Sequence, residues 1–354
     1  MTAAPGARRC RAAELESFAR AVLTAMGADR EVGEEVARHL VRANLSGHDS
    51  HGVLRLSRYV RQMDAGSLVP SARPELVHER GPIAVFDVRR SFGHYATAKA
   101  LEWAMGRART GGLAAAALRE PTHIGRLGEY TERAAAAGLV GVVTYGTAGE
   151  GVGIVLPHGG AAPALSTNPW SIGVPGADGG GVVFDAATTV VAEGKVQVAK
   201  DAGRQLPAGS IVAADRSPSR DPEAFYSGGA LLPLGGEVAG HKGYGLALMS
   251  ALLGGLAMAA SPASAAPASG VLVLVIDPAW FGDGDAYASL VADTVRSVKR
   301  TPPARGVGEV LVAGEPEQQS RERRGREGIE LAPGTWEGLR AVGERFQVPL
   351  PSST

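Results

Sequence analysis

Apolar residues recur at helical spacing through the first sixty positions. Leu15, Phe18, Ala19, Val22 and Leu23 fall on one stripe of a helix predicted over 12–26. Val32, Val36, Leu40 and Val41 fall on one face of a second, over 30–45. A third is expected over 53–63, stopping near Ala65-Gly66. From about Pro74 the period changes. Apolar runs at 84–88, 113–118 and 140–145 read as strands, with helices between them at 95–109 and 126–138. That alternation predicts an α/β layer unit. Residues 146–181 are rich in Gly and Pro and read as short strands and loops, and 182–184 as a strand running into Asp185. The stretch 194–235 reads mostly as loops and turns, long enough to be functional or interfacial. A helix at 244–258 follows, and the apolar run 246–260 reads as its buried core segment. Then come a small-residue linker (261–269), a buried strand (271–276) and a helix (286–300). The charge run 321–326 reads as a solvated helix face, and 335–346 as a last amphipathic helix.

Composition narrows the class. A chain of 354 residues exceeds one minimal core, so more than one domain is expected. Lys and Arg total 36, as do Asp and Glu, so no global field draws nucleic acid or an anionic membrane. The single cysteine, Cys10, can form neither an intramolecular disulfide nor a zinc cluster, and it sits close to an N-terminus expected to be mobile. The opening residues carry three arginines without the apolar segment of a secretory signal, and 246–260 is short for a membrane span. A cytoplasmic protein without a metal site, a nucleic-acid partner or a membrane is expected.

Candidate chemistry begins with an absence. The closest approach to a Gly-x-Gly-x-x-Gly dinucleotide fingerprint is Gly149 to Ile154, where the sixth position is isoleucine; no Walker motif occurs. In SGHDSHGVLRLSRY (46–59), Ser50 stands where a helix N-cap would be, and the four-residue spacing puts His51 and Arg55 on one helix face. An imidazole can exchange a proton near neutrality, and a guanidinium can grip a carboxylate through two hydrogen bonds. An acid/base beside a carboxylate clamp suits 2-keto acid chemistry; the bland alternative is an ordinary capped helix start. His123, expected at a strand-to-helix junction, is a second proton-transfer candidate, a cofactor contact, or simply a loop histidine. Asp185, at a strand end, could orient an imidazole or cap a helix.

Seven stretches then occur in order: GHDSHGVLRLSRYV (47–60), THIGRLGEYTERAAAAGLVGVV (122–143), LSTNPWSIGVP (165–175), FDAATTVVAEGKV (184–196), LPLGGEVAGHKGYGLALM (232–249), VIDPAWFGD (275–283) and GVGEVLVAGEPE (306–317). On these the chain resembles the malate/L-lactate dehydrogenase family that is unrelated to Rossmann lactate dehydrogenases. The resemblance implies an α/β fold. It has a non-Rossmann dinucleotide-binding domain on a mostly antiparallel sheet, plus a helical domain from N- and C-terminal segments. The expected division is 1–75 joined by about 320–354, and 76–319. It implies a homodimer that uses NAD or NADP and interconverts a small 2-keto acid and its 2-hydroxy acid. His51 matches the family's proton donor, Ser50 and Asp185 the groups that orient it, and Arg55 a substrate-carboxylate contact. His123 matches a histidine given the acid/base role in some members, so the donor stays open between the two. Thr167, Asn168, Pro169, Asp185, Ala186, Ala187, Thr188, His241, Lys242, Gly314 and Glu315, with His123, match nucleotide-binding or active-site segments. Where the family usually has Asn-Ser or Asn-Thr, this chain has Tyr145-Gly146-Thr147, with Thr147 the remaining hydroxyl for substrate. Reduction of a cyclic imine carboxylate, or a catalytically silent NAD(P)-binding role, are the alternative readings.

Overall fold

In the computed structural model, which describes residues 6–177, 181–201, 203–260 and 268–353, a short strand β1 (Arg8–Cys10) leads into α1 (Ala12–Ala25), α2 (Arg30–Leu45) and α3 (Leu56–Asp64). The apolar stripes read from the sequence on α1 and α2 are the buried ones and share one core. Asp29 caps α2 by accepting the Val32 N–H at 3.0 Å. The layered unit follows as β2 (Glu75–Arg80), β3 (Ile83–Asp87), α4 (Gly93–Gly111), β4 (Leu113–Arg119), α5 (Gly128–Ala136), β5 (Val140–Ala148), β6 (Trp170–Pro175) and β7 (Gly181–Ala186). The stretch expected to be mostly loops instead holds a nine-residue helix, α6 (Glu193–Asp201). It also holds the two-residue strands β8 (Ile211–Val212), β9 (Pro218–Ser219) and β10 (Ala230–Leu231), with the short helix α7 (Pro222–Tyr226). After α8 (Gly236–Gly254), β11 (Ala268–Ile276) and α9 (Gly284–Lys299), the chain returns through α10 (Glu315–Glu327), β12 (Ile329–Leu331) and α11 (Pro333–Phe346). Of the expected linker 261–269, residues 261–267 lie outside the described residues, and 268–269 belong to β11.

The core of α1 and α2 draws on both ends of the chain. β1 pairs antiparallel with β12, and Ile329, Leu331, Leu339 and Val342 enter the core of α1 and α2. Cys10 therefore sits not on a mobile end but fully buried in β1, where burial pushes its thiol up to about 11.

The large sheet has the order β2-β3-β4-β11-β5-β6-β7. Only β3 and β4 pair in parallel; every other pairing is antiparallel. β11 comes late in sequence yet lies at the centre. Its Val271, Val273 and Val275 point to one face and join Leu101 and Ala104 of α4 and Tyr130 of α5 in a core. α8 covers the other face and lies on β5. A Cβ at Gly146 would stand 2.3 Å from the Ala251 nitrogen, so glycine is what the Tyr145-Gly146-Thr147 departure requires.

α8 is not the fully buried helix expected. Ala247, Ser250, Ala251 and Gly254 are buried, a face of small residues. Leu246, Met249, Leu252 and Leu256 point outward, each about half exposed. By length and composition Gly236–Ala259 could cross a membrane, but its small-residue face is packed against the central sheet. α9 buries none of its residues, and Leu290 on it is 61% exposed.

Candidate active site

Residues 46–55 do not make one helix start. Asp49–His51 forms a 3-10 turn, Gly52 is extended, Val53–Arg55 forms a second turn, and α3 begins only at Leu56. Ser50 therefore caps no helix, and His51 and Arg55 share no helix face. The cause is Asn44. Its Oδ1 accepts the Val53 N–H at 2.9 Å, and its Nδ2 donates to Asp49 at 2.7 Å. The amide occupies the space beside Gly52, where a Cβ would lie 2.2 Å from the Asn44 oxygen. Arg55 folds back, its Nε donating to the Ser50 carbonyl at 2.5 Å.

α10 clamps this loop from outside. Arg324 donates to both carboxylate oxygens of Asp49, at 2.6 and 2.9 Å. Glu317 bonds the His48 ring at 3.1 Å, and Arg321 reaches Ser46 and Glu132. The charge run 321–326 is thus only partly a solvated face. Two of its arginines hold the loop that carries His51.

His51 and His123, from separate motifs, come together. The Nε2 of His123 lies 3.3 Å from the Nδ1 of His51. The Nδ1 of His123 lies 2.8 Å from the Tyr59 hydroxyl, which is 3.2 Å from the Nε2 of His94. His39 meets His94 edge to face, with ring centroids 4.8 Å apart, and its Nε2 accepts the Arg126 N–H at 2.9 Å. His39, His94 and Tyr59 are buried. Burial depresses every one of these imidazoles. It takes His51, with Arg55 and His48 adding, to about 3, and His94, with Arg55 adding, also to about 3. His39 and His123 are likewise held well down, burial first. All four rings are neutral near pH 7. The Nε2 of His51 makes no hydrogen bond among the described residues and is not sealed in the interior, whereas both nitrogens of His123 are engaged. Sequence reasoning missed Tyr59 and His94. Tyr59 stands four residues past Arg55, so the motif contained a signal, but His94 lies in an ordinary apolar stretch at the start of α4.

Asp185 bonds elsewhere than to His51. Its carboxylate accepts the Gly128 N–H at 2.8 Å and lies 3.5 Å from the Arg126 Nε. It steadies the start of α5 rather than the imidazole. Nor does it cap a helix, since β7 runs on through Ala186. Burial raises its pKa against the pull of Arg126. The Arg126 side chain, 2% exposed, donates to Glu132 at 2.8 Å, while its Nη1 makes no hydrogen bond.

The other residues singled out from the sequence lie around this junction. Gly314, at the start of α10, packs on Val183 of β7. Glu315 accepts the Val312 N–H and the Lys299 ammonium, so its carboxylate braces α10. The Asn168 amide bonds Thr147 N–H, Thr147 C=O and Ala247 C=O, and Thr188 donates to the carbonyls of Thr167 and Asn168. These buried side chains hold the wall together instead of reaching outward. The Pro169 carbonyl accepts from Thr144, and the Thr147 hydroxyl bonds Ser269 at 3.0 Å. Ala186 and Ala187 are half-buried beyond Asp185. His241 and Lys242 are exposed on α8, whose leading turn is tied to Thr188 by the Leu234 N–H.

The N-terminus of α10 starts beside β7, as does that of α5, whose Gly128 amide the Asp185 carboxylate already meets; an unpartnered buried nitrogen of Arg126 lies next to α5. A helix N-terminus and a guanidinium favour anions, so the α10 end and the Arg126 nitrogen are chemically compatible with the pyrophosphate of a dinucleotide.

Comparison with known proteins agrees with this geometry. The model of a family described as malate/L-lactate dehydrogenase matches residues 10–340. An L-lactate dehydrogenase of Cupriavidus necator is 32% identical over 345 residues, covering 95% of this chain and 97% of the relative. A Δ1-pyrroline-2-carboxylate/Δ1-piperideine-2-carboxylate reductase of Pseudomonas putida is 32% identical, covering 93% and 95%. The structure of a malate dehydrogenase from Pyrococcus horikoshii superposes with a TM-score of 0.87 at 27% identity, covering 99% and 98%.

Proposed function

The chain belongs to the malate/L-lactate dehydrogenase family, oxidoreductases that use a nicotinamide dinucleotide, and from that premise we propose that it interconverts a small 2-keto acid and its 2-hydroxy acid with His51 as the acid/base. When bound, the dinucleotide supplies or takes the hydride. The Arg126 Nη1, the amide end of α10 and the backbone of the wall that Asn168 and Thr188 brace are the groups that would hold it. The observation that carries the assignment of His51 is its Nε2, which has no partner among the described residues and is reachable, while His123 has no nitrogen left for substrate. In the oxidative direction the neutral His51 accepts the hydroxyl proton at Nε2; in the reductive direction the imidazolium returns it to the forming alkoxide. Arg55, held beside His51 by the Ser50 carbonyl, offers its remaining guanidinium donors to the substrate carboxylate.

A panel of 2-keto acids and cyclic imine carboxylates, each with NADH and NADPH, tests this by the absorbance of the reduced nicotinamide. Turnover of a 2-keto acid above the imines is expected. Turnover of imines alone would establish the second reading, which the Pseudomonas putida relative favours. Cofactor binding without turnover on any substrate would leave a silent binding protein. The same panel decides between NAD and NADP.

We further propose a cytoplasmic homodimer. Its support is the outward stripe of Leu246, Met249 and Leu252 on α8, continued by Leu256 just after it, and the uncovered α9. Sedimentation is expected to give twice the 36.3 kDa chain mass, and Leu252→Glu to shift it toward monomer; a monomeric wild type removes the dimer.

A further inference from the structure

We propose that Tyr59 is a positioning residue which, through His123 and backed by His94, sets the tautomer of His51, keeping the Nδ1 of His51 protonated and its Nε2 open to the substrate. This rests on His51 being the acid/base of the 2-hydroxy acid reaction.

The argument is one of hydrogen-bond direction. His51, His123, Tyr59 and His94 form an unbranched chain with links of 3.3, 2.8 and 3.2 Å. Each neutral imidazole carries one proton and one lone pair, and a phenol donates once while also accepting. With the Tyr59 hydroxyl donating to one of its two imidazole neighbours, the chain runs in one of two senses. If His94 donates toward Tyr59, every link points at His51. His123 then donates to the Nδ1 of His51, and the only proton of His51 sits on Nε2. In that sense His51 is useless for the reaction: its Nε2 has no lone pair to accept with, and giving up its single proton would leave an imidazolate. If instead Tyr59 donates to the Nε2 of His94, it accepts from the Nδ1–H of His123. The Nε2 of His123 then accepts the Nδ1–H of His51, and the Nε2 of His51 is a bare base. When the substrate hydroxyl gives its proton to Nε2, His51 becomes an imidazolium whose Nδ1–H is still accepted by His123. No other group in the chain changes protonation, and the reverse step returns the same proton.

Two observations favour the second sense as the working one, and a third sets its cost. No carboxylate bonds His51 among the described residues; Asp185 is engaged by Gly128 and Arg126. Arg55 and Arg126, the permanent charges acting on His51, both oppose an imidazolium. Acceptance of its Nδ1–H by His123 is thus the support this site offers to the charged form, the task a carboxylate performs in a Ser-His-Asp triad. Finally, the Nδ1 of His94 bonds no polar atom. In the working sense this Nδ1 carries the His94 proton as a buried N–H without an acceptor, a cost set against the accepted Nδ1–H of His51. Only a hydroxyl at position 59 can accept from one imidazole while donating to the next.

Nitrogen-15 NMR of the imidazoles in the resting wild-type protein reads this without substrate. Both His51 and His123 are expected as the Nδ1–H tautomer. In Tyr59→Phe, which keeps the ring packed against Phe92, the Nε2–H form of both should grow. Its kcat should fall by up to the ~10²–10⁴-fold that acid–base catalysis contributes, with KM for the keto acid and cofactor affinity nearly unchanged. An Nε2–H His51 in the wild type, or tautomers unaltered in Tyr59→Phe, would overturn the proposal. If that variant does not fold, the wild-type spectrum alone decides. Absence of turnover on every 2-keto acid, with the expected tautomers present, would count against the assigned reaction and not against the hydrogen-bond chain.

Discussion

Replacing His51 with alanine is expected to lower kcat about 10²–10⁴-fold while the dinucleotide still binds. The imidazole is the group with a reachable, unengaged nitrogen in the chain of rings. Removing it deletes the proposed proton acceptor without touching Arg126 or the α10 end proposed for the nucleotide. Kinetics with the preferred keto acid, alongside cofactor titration by nicotinamide fluorescence, measure both halves of the statement. A variant retaining near-wild-type kcat would move the acid/base role to another group. Equal loss of cofactor affinity would mean that His51 is part of the nucleotide site instead.

The second large effect is on stability in mild acid. Four histidines are neutral in the fold because burial pushes their pKa values down, His51 and His94 to about 3. In the unfolded chain each titrates near 6.5. Between those values the unfolded chain binds more protons than the native one. The stabilisation is therefore complete above about pH 6.5 and declines as pH falls toward the folded values. For one fully buried ring such as His94, the slope is about 1.4 kcal/mol per pH unit. Urea midpoints should drop steeply from pH 7 to pH 5. A His94→Phe variant should lose about one histidine's share of that slope, whatever its stability at pH 7. A flat wild-type profile over this range, or an unchanged slope in the variant, would contradict neutral burial.

Much of the scaffold was legible because periodicity reports burial directly. The stripes of α1 and α2 and the run that became β11 are the buried faces. What periodicity could not report was long-range bonding. Ser50 looked like a cap because it precedes a helical stretch, but Asn44 and Arg324 hold its turn apart from α3. Asp185 looked like the partner of an imidazole because it ends a strand, yet Gly128 and Arg126 reach it first. Local sequence gave α6 no clear signal amid glycines. The pairing of His51 with His123 across 72 positions was not readable from spacing, and neither was the hydroxyl of Tyr59 beyond it. Order among the seven motifs placed the residues in one family; only the folded chain says which of them touch.

The position of β11 has a consequence for the life of the chain on the ribosome. β4 and β5 are both made by residue 148, but the strand that joins them ends at Ile276. During the intervening synthesis of more than a hundred residues, two strand edges have no neighbour to hydrogen-bond, and the valines destined for the sheet centre have not been made. Open edges recruit other chains. The nascent protein is thus most exposed to aggregation late in translation, and slow elongation between residues 149 and 276 should lower its yield more than equal slowing before residue 110.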